Sequence, residues 1–119
     1  MTAGKSLKEH LARNREITLT VTGRKSGKEI AVPVWFVLEG DQFYLLPVHG
    51  SGTQWYLNVL KEPLIRIEAR GEQAELRVKS ITDTKSVKAV VDKFREKYTA
   101  ADVKKYYSKL DVAVAAKLD

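Results

Sequence analysis

Pairs of short segments with alternating apolar and polar residues, joined by tight turns, constrain the fold of this chain most strongly. In Ile17–Thr22, three aliphatic residues alternate with three threonines, a period of two that is typical of a half-buried β-strand. A second strand is predicted over 30–38, where Pro33 indicates an edge or a bulge. Hairpins are predicted at Gly40-Asp41, returning over 43–46, and around Gly71.

Helical spacing connects these hairpins. Leu7 and Leu11 predict a short first helix that ends near residue 14. A second helix is predicted over 55–61 and a third over 87–98, while Thr99 with Asp102 can open a fourth. A short strand is predicted over 112–116. Since no strand–helix–strand rhythm repeats, this order argues against a doubly wound parallel sheet. It favours an antiparallel barrel or a strongly bent sheet, in one domain over 1–119.

Composition excludes several classes of protein. Hydrophobic residues make up 44% of 119 residues, so disorder is not expected. No apolar run approaches the roughly 20 residues that span a bilayer, and the polar first ten residues lack the apolar centre of a signal peptide. Cysteine is absent, which excludes disulfides and thiol chemistry and fits a reducing compartment. We therefore expect a cytoplasmic protein without a membrane partner.

The charge distribution indicates an anionic partner. The net charge is +6, and residues 1–38 carry seven basic against three acidic side chains. A phosphate, an acidic cofactor or nucleic acid would each match this basic third, although a basic protein without an anionic ligand has the same composition.

The sequence contains no local motif for metal binding or for nucleophilic catalysis. His10 and His49 are the only histidines and neither has a partner at metal-ligand spacing, so no metal site is expected. The sequence has no nucleophile elbow and no P-loop. If the chain is an enzyme, a bound cofactor is expected to supply the difficult chemical step.

The loop Gly23-Arg24-Lys25-Ser26-Gly27-Lys28 is the most informative segment. Two glycines bracket two cations and a hydroxyl, Arg24, Lys25 and Ser26, and a third cation, Lys28, follows directly. Backbone N–H groups can converge in such a turn, and an arginine can hold two phosphate oxygens. The alternative is a solvated hairpin turn without a ligand.

A second glycine-bearing loop, His49-Gly50-Ser51-Gly52-Thr53, leads into Gln54-Trp55-Tyr56-Leu57-Asn58. The start of a helix favours an anion, and Trp55 offers a broad aromatic face. The alternative for Trp55 and Tyr56 is packing in the core, whereas His49 in a glycine loop is harder to explain by packing.

The two segments together resemble the deazaflavin-dependent nitroreductase family. The resemblance is carried, in order, by Thr20-Val21-Thr22-Gly23-Arg24-Lys25-Ser26-Gly27-Lys28, by Val32-Pro33, and by Trp55-Tyr56-Leu57-Asn58 with Pro63 after it. It implies a split β-barrel, a mainly β α+β fold with antiparallel, Greek-key-like strands and short flanking helices. It also implies binding of coenzyme F420 and hydride transfer to a small acceptor such as a quinone or a nitro compound.

The same resemblance implies a set of site residues. The implied cofactor contacts are Arg24, Lys25, Ser26, Lys28, Pro33, Val48, His49, Gly50, Trp55 and Asn58. Among these, the three cations would face the phosphate and acidic tail of F420. His49 and Tyr98 are candidates for a catalytic group that is otherwise unassigned. Ala101 and Lys104 stand where members of the family often have aromatic residues, which leaves the acceptor open.

Several alternatives stay open at this point. An FMN-binding or FAD-binding relative would have the same fold, with the side chains that contact the phosphate oriented differently. A small basic β-barrel could instead bind nucleic acid, but here the aromatic residues do not interleave with cations, so no nucleic-acid partner is expected. A barrel that only carries a cofactor or has lost its activity is a further alternative. We expect small-molecule partners and allow for a homodimer.

Overall fold

The computed structural model describes residues 3–118, with side chains described from Leu7 onward. Within this range the chain forms four α-helices and eight β-strands. The helices are α1 (Ala3–Arg13), α2 (Gln54–Lys61), α3 (Thr84–Tyr98) and α4 (Ala100–Tyr106). The strands are β1 (Ile17–Thr22), β2 (Glu29–Val34), β3 (Val37–Glu39), β4 (Gln42–Leu45), β5 (Leu64–Ala69), β6 (Glu72–Arg77), β7 (Lys79–Ile81) and β8 (Ala113–Lys117).

The strands form two four-stranded sheets in which every pairing is antiparallel. The first sheet has the order β2-β1-β5-β6 and the second has the order β3-β4-β8-β7. The predicted alternation of β1 sets its register, because Ile17, Leu19 and Val21 all face inward and are at most 4% exposed. The predicted mainly β, split-barrel class of fold is confirmed.

Two apolar clusters build the core. The first fills the space between the sheets and includes Leu19, Phe36, Phe43 and Ile67. The second lies on the other face of the second sheet, under α3 and α4, and centres on Phe94 and Tyr98. Neighbouring residues along β3 and β4 point alternately into these two clusters, so the second sheet is buried on both faces.

The single strand predicted over 30–38 is wrong. The chain leaves the first sheet after Val34 and enters the second at Val37, so this segment is two strands joined at Trp35-Phe36. Phe36 turns into the space between the sheets, while Trp35 packs against the cluster under α3. The sequence does not show such a break, because residues 30–38 are all apolar and neither a glycine nor a polar residue marks the change of sheet. The inference that Pro33 marks an edge is confirmed, since β2 is the outer strand of its sheet.

Other boundaries shift by smaller amounts. The short strand β7 was not predicted; it follows β6 after Val78 and joins the other sheet. The helix opened by Thr99 is confirmed, since the Thr99 hydroxyl accepts a hydrogen bond from the N–H of Asp102. The helical spacing of Val103, Tyr106, Tyr107 and Leu110 predicts one longer face, which is wrong, because the helix ends at Tyr106. No helix within residues 3–118 is long and apolar enough to cross a membrane.

Candidate functional site

An aromatic cleft of about 500 Å³ opens where the first sheet, α2 and the end of α4 meet. Its lining comes from segments that are distant in sequence and that the sheet topology brings together. The lining residues are Glu16, Val32, Pro33, Val34, Trp35, Leu46, Val48, Thr53, Trp55, Tyr106 and Tyr107. A concave, mostly apolar surface with a few polar groups is the usual form of a small-molecule site. We call this the aromatic cleft.

Trp35 is held in the wall of this cleft by Tyr98. The two rings stack with their centroids 4.2 Å apart and their planes 6° apart. Tyr98 has no exposed surface, and its hydroxyl accepts from the N–H of Phe36 at 3.1 Å and lies within donating distance of the carbonyls of Arg15 and Phe36, at 2.7 and 2.8 Å. Burial raises the pKa of Tyr98 to about 12. These hydrogen bonds hold the Tyr98 hydroxyl in the protein interior behind Trp35, so it does not face the cleft.

Tyr107 presents a hydroxyl of a different kind. Its ring is 6% exposed and lines the aromatic cleft. Burial raises the pKa of Tyr107, so the hydroxyl stays protonated at neutral pH. Among residues 7–118 no side chain or backbone group forms a hydrogen bond with it. A ligand in the cleft would therefore find a hydrogen-bond donor here.

A second cleft, of about 340 Å³, contains the predicted cation loop. It is lined by Gly23, Arg24, Lys25, Ser26, Ile30, Gln54 and Asn58. We call this the cationic cleft. Loop 23–28 and the first two turns of α2 therefore adjoin in the fold.

Arg24 fastens this loop to α2. Its guanidinium donates to Oδ1 of Asn58 at 2.8 Å and to Oε1 of Gln54 at 3.0 Å, and its backbone N–H also donates to Asn58 at 3.1 Å. Asn58 is 4% exposed, so these contacts satisfy a buried amide oxygen. Arg24 is thus part of the fold as well as a cation facing the cleft.

The other residues of the loop are more accessible. Lys25, Ser26 and Lys28 are exposed, and among residues 7–118 neither lysine forms an ion pair. Ser26 Oγ accepts from the N–H of Lys28 at 3.2 Å, and the N–H of Gly27 donates to Gly23. Several backbone donors of the turn are therefore used within it, so the two lysine side chains are its most available groups for an anion.

The two clefts lie along one face of β2. Ile30 lines the cationic cleft, and Val32 and Val34 line the aromatic cleft. Alternate residues of a strand share a face, and four residues of strand span about 13 Å. The first turn of α2 joins the clefts on the other side, with Gln54 in one and Trp55 in the other.

The residues before α2 face two different parts of the molecule, the aromatic cleft and the loop 108–111. Val48 lines the aromatic cleft, but His49 points its Nδ1 at Ser108 Oγ, 2.8 Å away. Gly50 has a φ of 57°, and a Cβ there would meet Asp111 and Lys109. Gly50 thus permits a close loop contact, and neither His49 nor Gly50 lines either cleft.

Of the residues implied as cofactor contacts, the structure brings seven to the two clefts. Pro33, Val48 and Trp55 reach the aromatic cleft, and Arg24, Lys25, Ser26 and Asn58 reach the cationic cleft. Sequence reasoning missed Trp35 and Tyr107, which looked like core residues of a strand and a helix. The tyrosine pair at the end of α4 was a signal, since two adjacent aromatic residues cannot both face one core. In the described part of the chain, no three His, Asp or Glu side chains could hold a metal ion.

Comparison with known proteins gives a family and a fold. The model of a family described as "Uncharacterized protein conserved in bacteria (DUF2255)" matches residues 8–117. An F420-H2 dependent reductase (FDR-A) is 19% identical with a TM-score of 0.68, over 87% of this chain and 95% of that one. A domain-swapped dimer is 17% identical with a TM-score of 0.68, over 98% and 100%. HutZ, the heme storage protein from Vibrio cholerae, is 13% identical with a TM-score of 0.70, over 100% and 92%.

Proposed function

The chain belongs to the bacterial DUF2255 family, and from this premise we propose that it is an F420-dependent oxidoreductase acting on a small acceptor. The proposal treats 1–119 as one cofactor-binding domain. It also includes a homodimer, because one solved structure of this fold is a domain-swapped dimer; sedimentation of the purified protein measures that part separately.

The observation that carries the proposal is the alignment of two unlike clefts along β2. One is apolar and aromatic, and the other has Arg24, Lys25 and Ser26 in its wall. An elongated ligand with a planar ring at one end and an anionic tail at the other matches this pair. A ligand that lacks either part would leave one cleft without a role.

The residues of both clefts fit a deazaflavin. Trp55 and Trp35 offer aromatic faces to a ring, and the Tyr107 hydroxyl can donate to a ring oxygen. Lys25 and Arg24 can hold phosphate or carboxylate oxygens. When bound, F420 supplies hydride transfer, and the protein's part is to orient the ring and to limit water around it.

Titration of the purified protein with F420, FMN, FAD and heme, each followed by fluorescence or absorbance, tests the proposal. We expect F420 to bind at least about tenfold more tightly than FMN, a difference of roughly 1.4 kcal/mol. Tighter binding of FMN or FAD would assign the chain to flavin chemistry. Tight binding of heme alone would support a heme role like that named for HutZ, and no binding would reject the proposal.

A variant series separates the cationic cleft from general charge. Lys25→Ala with Lys28→Ala should weaken F420 binding and reduce its dependence on salt, because screening acts only on charges that are present. Lys85→Ala with Lys88→Ala is the matched control, since it removes two exposed lysines of α3 that lie outside both clefts. If this control weakens F420 binding as much as the loop variant does, the loop has no specific role.

A further inference from the structure

Two cations lie against the ring of Tyr98, which stacks on Trp35. Arg15 Cζ lies 5.1 Å from the centre of the Tyr98 ring, and Lys97 Nζ lies 5.0 Å from it. Lys97 Nζ is also 3.5 Å from the centre of the Phe36 ring. Arg15 precedes β1, whereas loop 23–28 follows it, so about 20 Å of strand separates the two groups of cations.

Neither cation has an acidic partner among residues 7–118. Within the described residues, Arg15 and Lys97 form no ion pair, although Lys88, Lys93 and Arg95 on the same helix α3 each form one. Lys97 Nζ donates to the carbonyl of Phe36 at 3.0 Å. An ammonium has three N–H donors, so two remain, and the Arg15 guanidinium has no hydrogen-bond partner among residues 7–118.

The environment of this pair favours a negative charge. Burial, together with the charge of Arg15, lowers the pKa of Lys97 to about 8. At neutral pH the ammonium is still mostly protonated, so two like charges lie beside the same ring, and among residues 7–118 no carboxylate is paired with either. Glu16 and Glu96 are adjacent to Arg15 and Lys97 along the chain, but neither acid forms an ion pair with these cations, and Glu16 lines the aromatic cleft.

We propose that Arg15 and Lys97 form an oxyanion site next to the aromatic cleft, which takes a carboxylate or phosphate group of a second ligand. The guanidinium offers a planar fork, and the ammonium offers a compact charge with free donors. Glu16, which follows Arg15, and Trp35, whose ring stacks on Tyr98, both line the cleft. The site is distinct from the cationic cleft, and its existence does not depend on the identity of the cofactor.

Backbone amide NMR of the full chain, titrated with sodium phosphate and separately with sodium acetate at constant ionic strength, tests this site. We expect saturable shifts at Arg15, Phe36 and Lys97 with at least one of the two anions. The stronger of the two identifies a phosphate or a carboxylate as the preferred group. Shifts confined to residues 23–28 would overturn this proposal while leaving the cationic cleft intact.

Three variants make the test specific. Arg15→Gln and Lys97→Gln should each weaken the anion at this site at least fivefold. Lys93→Gln removes one charge from the same helix, one turn earlier, where the lysine is paired with Glu39 at 2.8 Å, and should leave binding unchanged. Equal weakening by Lys93→Gln, or shifts that never saturate, would mean diffuse charge screening and would overturn the proposal. Because Arg15 is exposed, Arg15→Gln stays informative even if Lys97→Gln fails to fold.

Discussion

Arg24 links the loop 23–28 to α2 through a carboxamide, that of Asn58, which is almost fully buried. Removing the guanidinium takes away one of the two donors to that oxygen. Sequence reasoning alone predicts that changes in a polar hairpin turn leave folding almost unaffected. The buried position of Asn58 leads to a different expectation for this one residue.

We expect Arg24→Ala to lower the free energy of unfolding by about 1–2 kcal/mol and to weaken F420 by roughly ten- to a hundredfold. Urea denaturation and a cofactor titration measure the two effects. Lys25→Ala and Lys28→Ala are the controls, and each should change stability by less than about 0.5 kcal/mol. Unchanged stability of Arg24→Ala would mean that Asn58 is satisfied equally well by water.

Tyr107 and Tyr98 allow a paired test of the same substitution. Tyr107→Phe removes a hydroxyl that has no partner among residues 7–118, so stability should be unchanged while a ligand of the aromatic cleft binds several-fold more weakly. Tyr98→Phe removes a hydroxyl bonded to Phe36 and Arg15, so it should cost about 1–3 kcal/mol of stability. Thermal denaturation of both variants decides this, and a larger loss for Tyr107→Phe would contradict the roles assigned to these residues.

At the scale of elements, the junction between α3 and α4 stores backbone strain. Thr99 has a φ of 83° and a ψ of 151°, a region that is essentially restricted to glycine. The residue persists there because it ends α3 and its side chain caps α4. The helix that starts after Thr99 ends at Tyr106, and both Tyr106 and the next residue, Tyr107, line the aromatic cleft.

Thr99→Gly should raise the free energy of unfolding by about 1 kcal/mol, since relief of strain exceeds the few tenths lost when glycine replaces a threonine cap. Thr99→Ala should do the opposite, because it loses the cap and keeps the strain. Denaturation of both variants gives the sign of each change. A destabilised Thr99→Gly would show that the cap outweighs the strain.

Helices and strands could be predicted from the sequence wherever one of their faces is exposed to solvent. The alternation in β1 and the spacing in α3 gave their position and their buried residues, because polar and apolar partners are segregated. The second sheet is buried on both faces, so its strands carry no clear alternation. The join between β2 and β3 was missed because residues 30–38 are all apolar and neither a glycine nor a polar residue marks the turn. The aromatic cleft was only partly predictable, since Trp35 and Tyr107 join it through contacts distant in sequence.

At the scale of the whole molecule, Lys97 gives stability a specific pH dependence. The pKa of Lys97 is lowered to about 8 in the folded chain, against about 10.4 when unfolded. Between these values the unfolded chain binds more protons, so the free energy of unfolding should rise with pH. Above about pH 10 Tyr98 has the reverse effect, because its pKa is raised to about 12 by burial and its neutral form is favoured in the fold.

Denaturation at a series of pH values from about 8 to about 10 measures the expected increase in the free energy of unfolding. Lys97→Gln should abolish the rise. Lys93→Gln should keep it, since pairing with Glu39 raises the pKa of Lys93 instead of lowering it. A rise that survives in Lys97→Gln would show that another group titrates in this range.

The join at Trp35-Phe36 ties the binding surface to the interior. Phe36 fills the space between the sheets, and the adjacent Trp35 forms a wall of the aromatic cleft. A change of volume at Phe43, whose ring centroid lies 5.8 Å from that of Phe36, would therefore tilt the wall without altering any residue that lines it. A difference between two relatives in the interior can thus reshape this cleft, so comparing only the residues that line it would underestimate how far the two clefts differ.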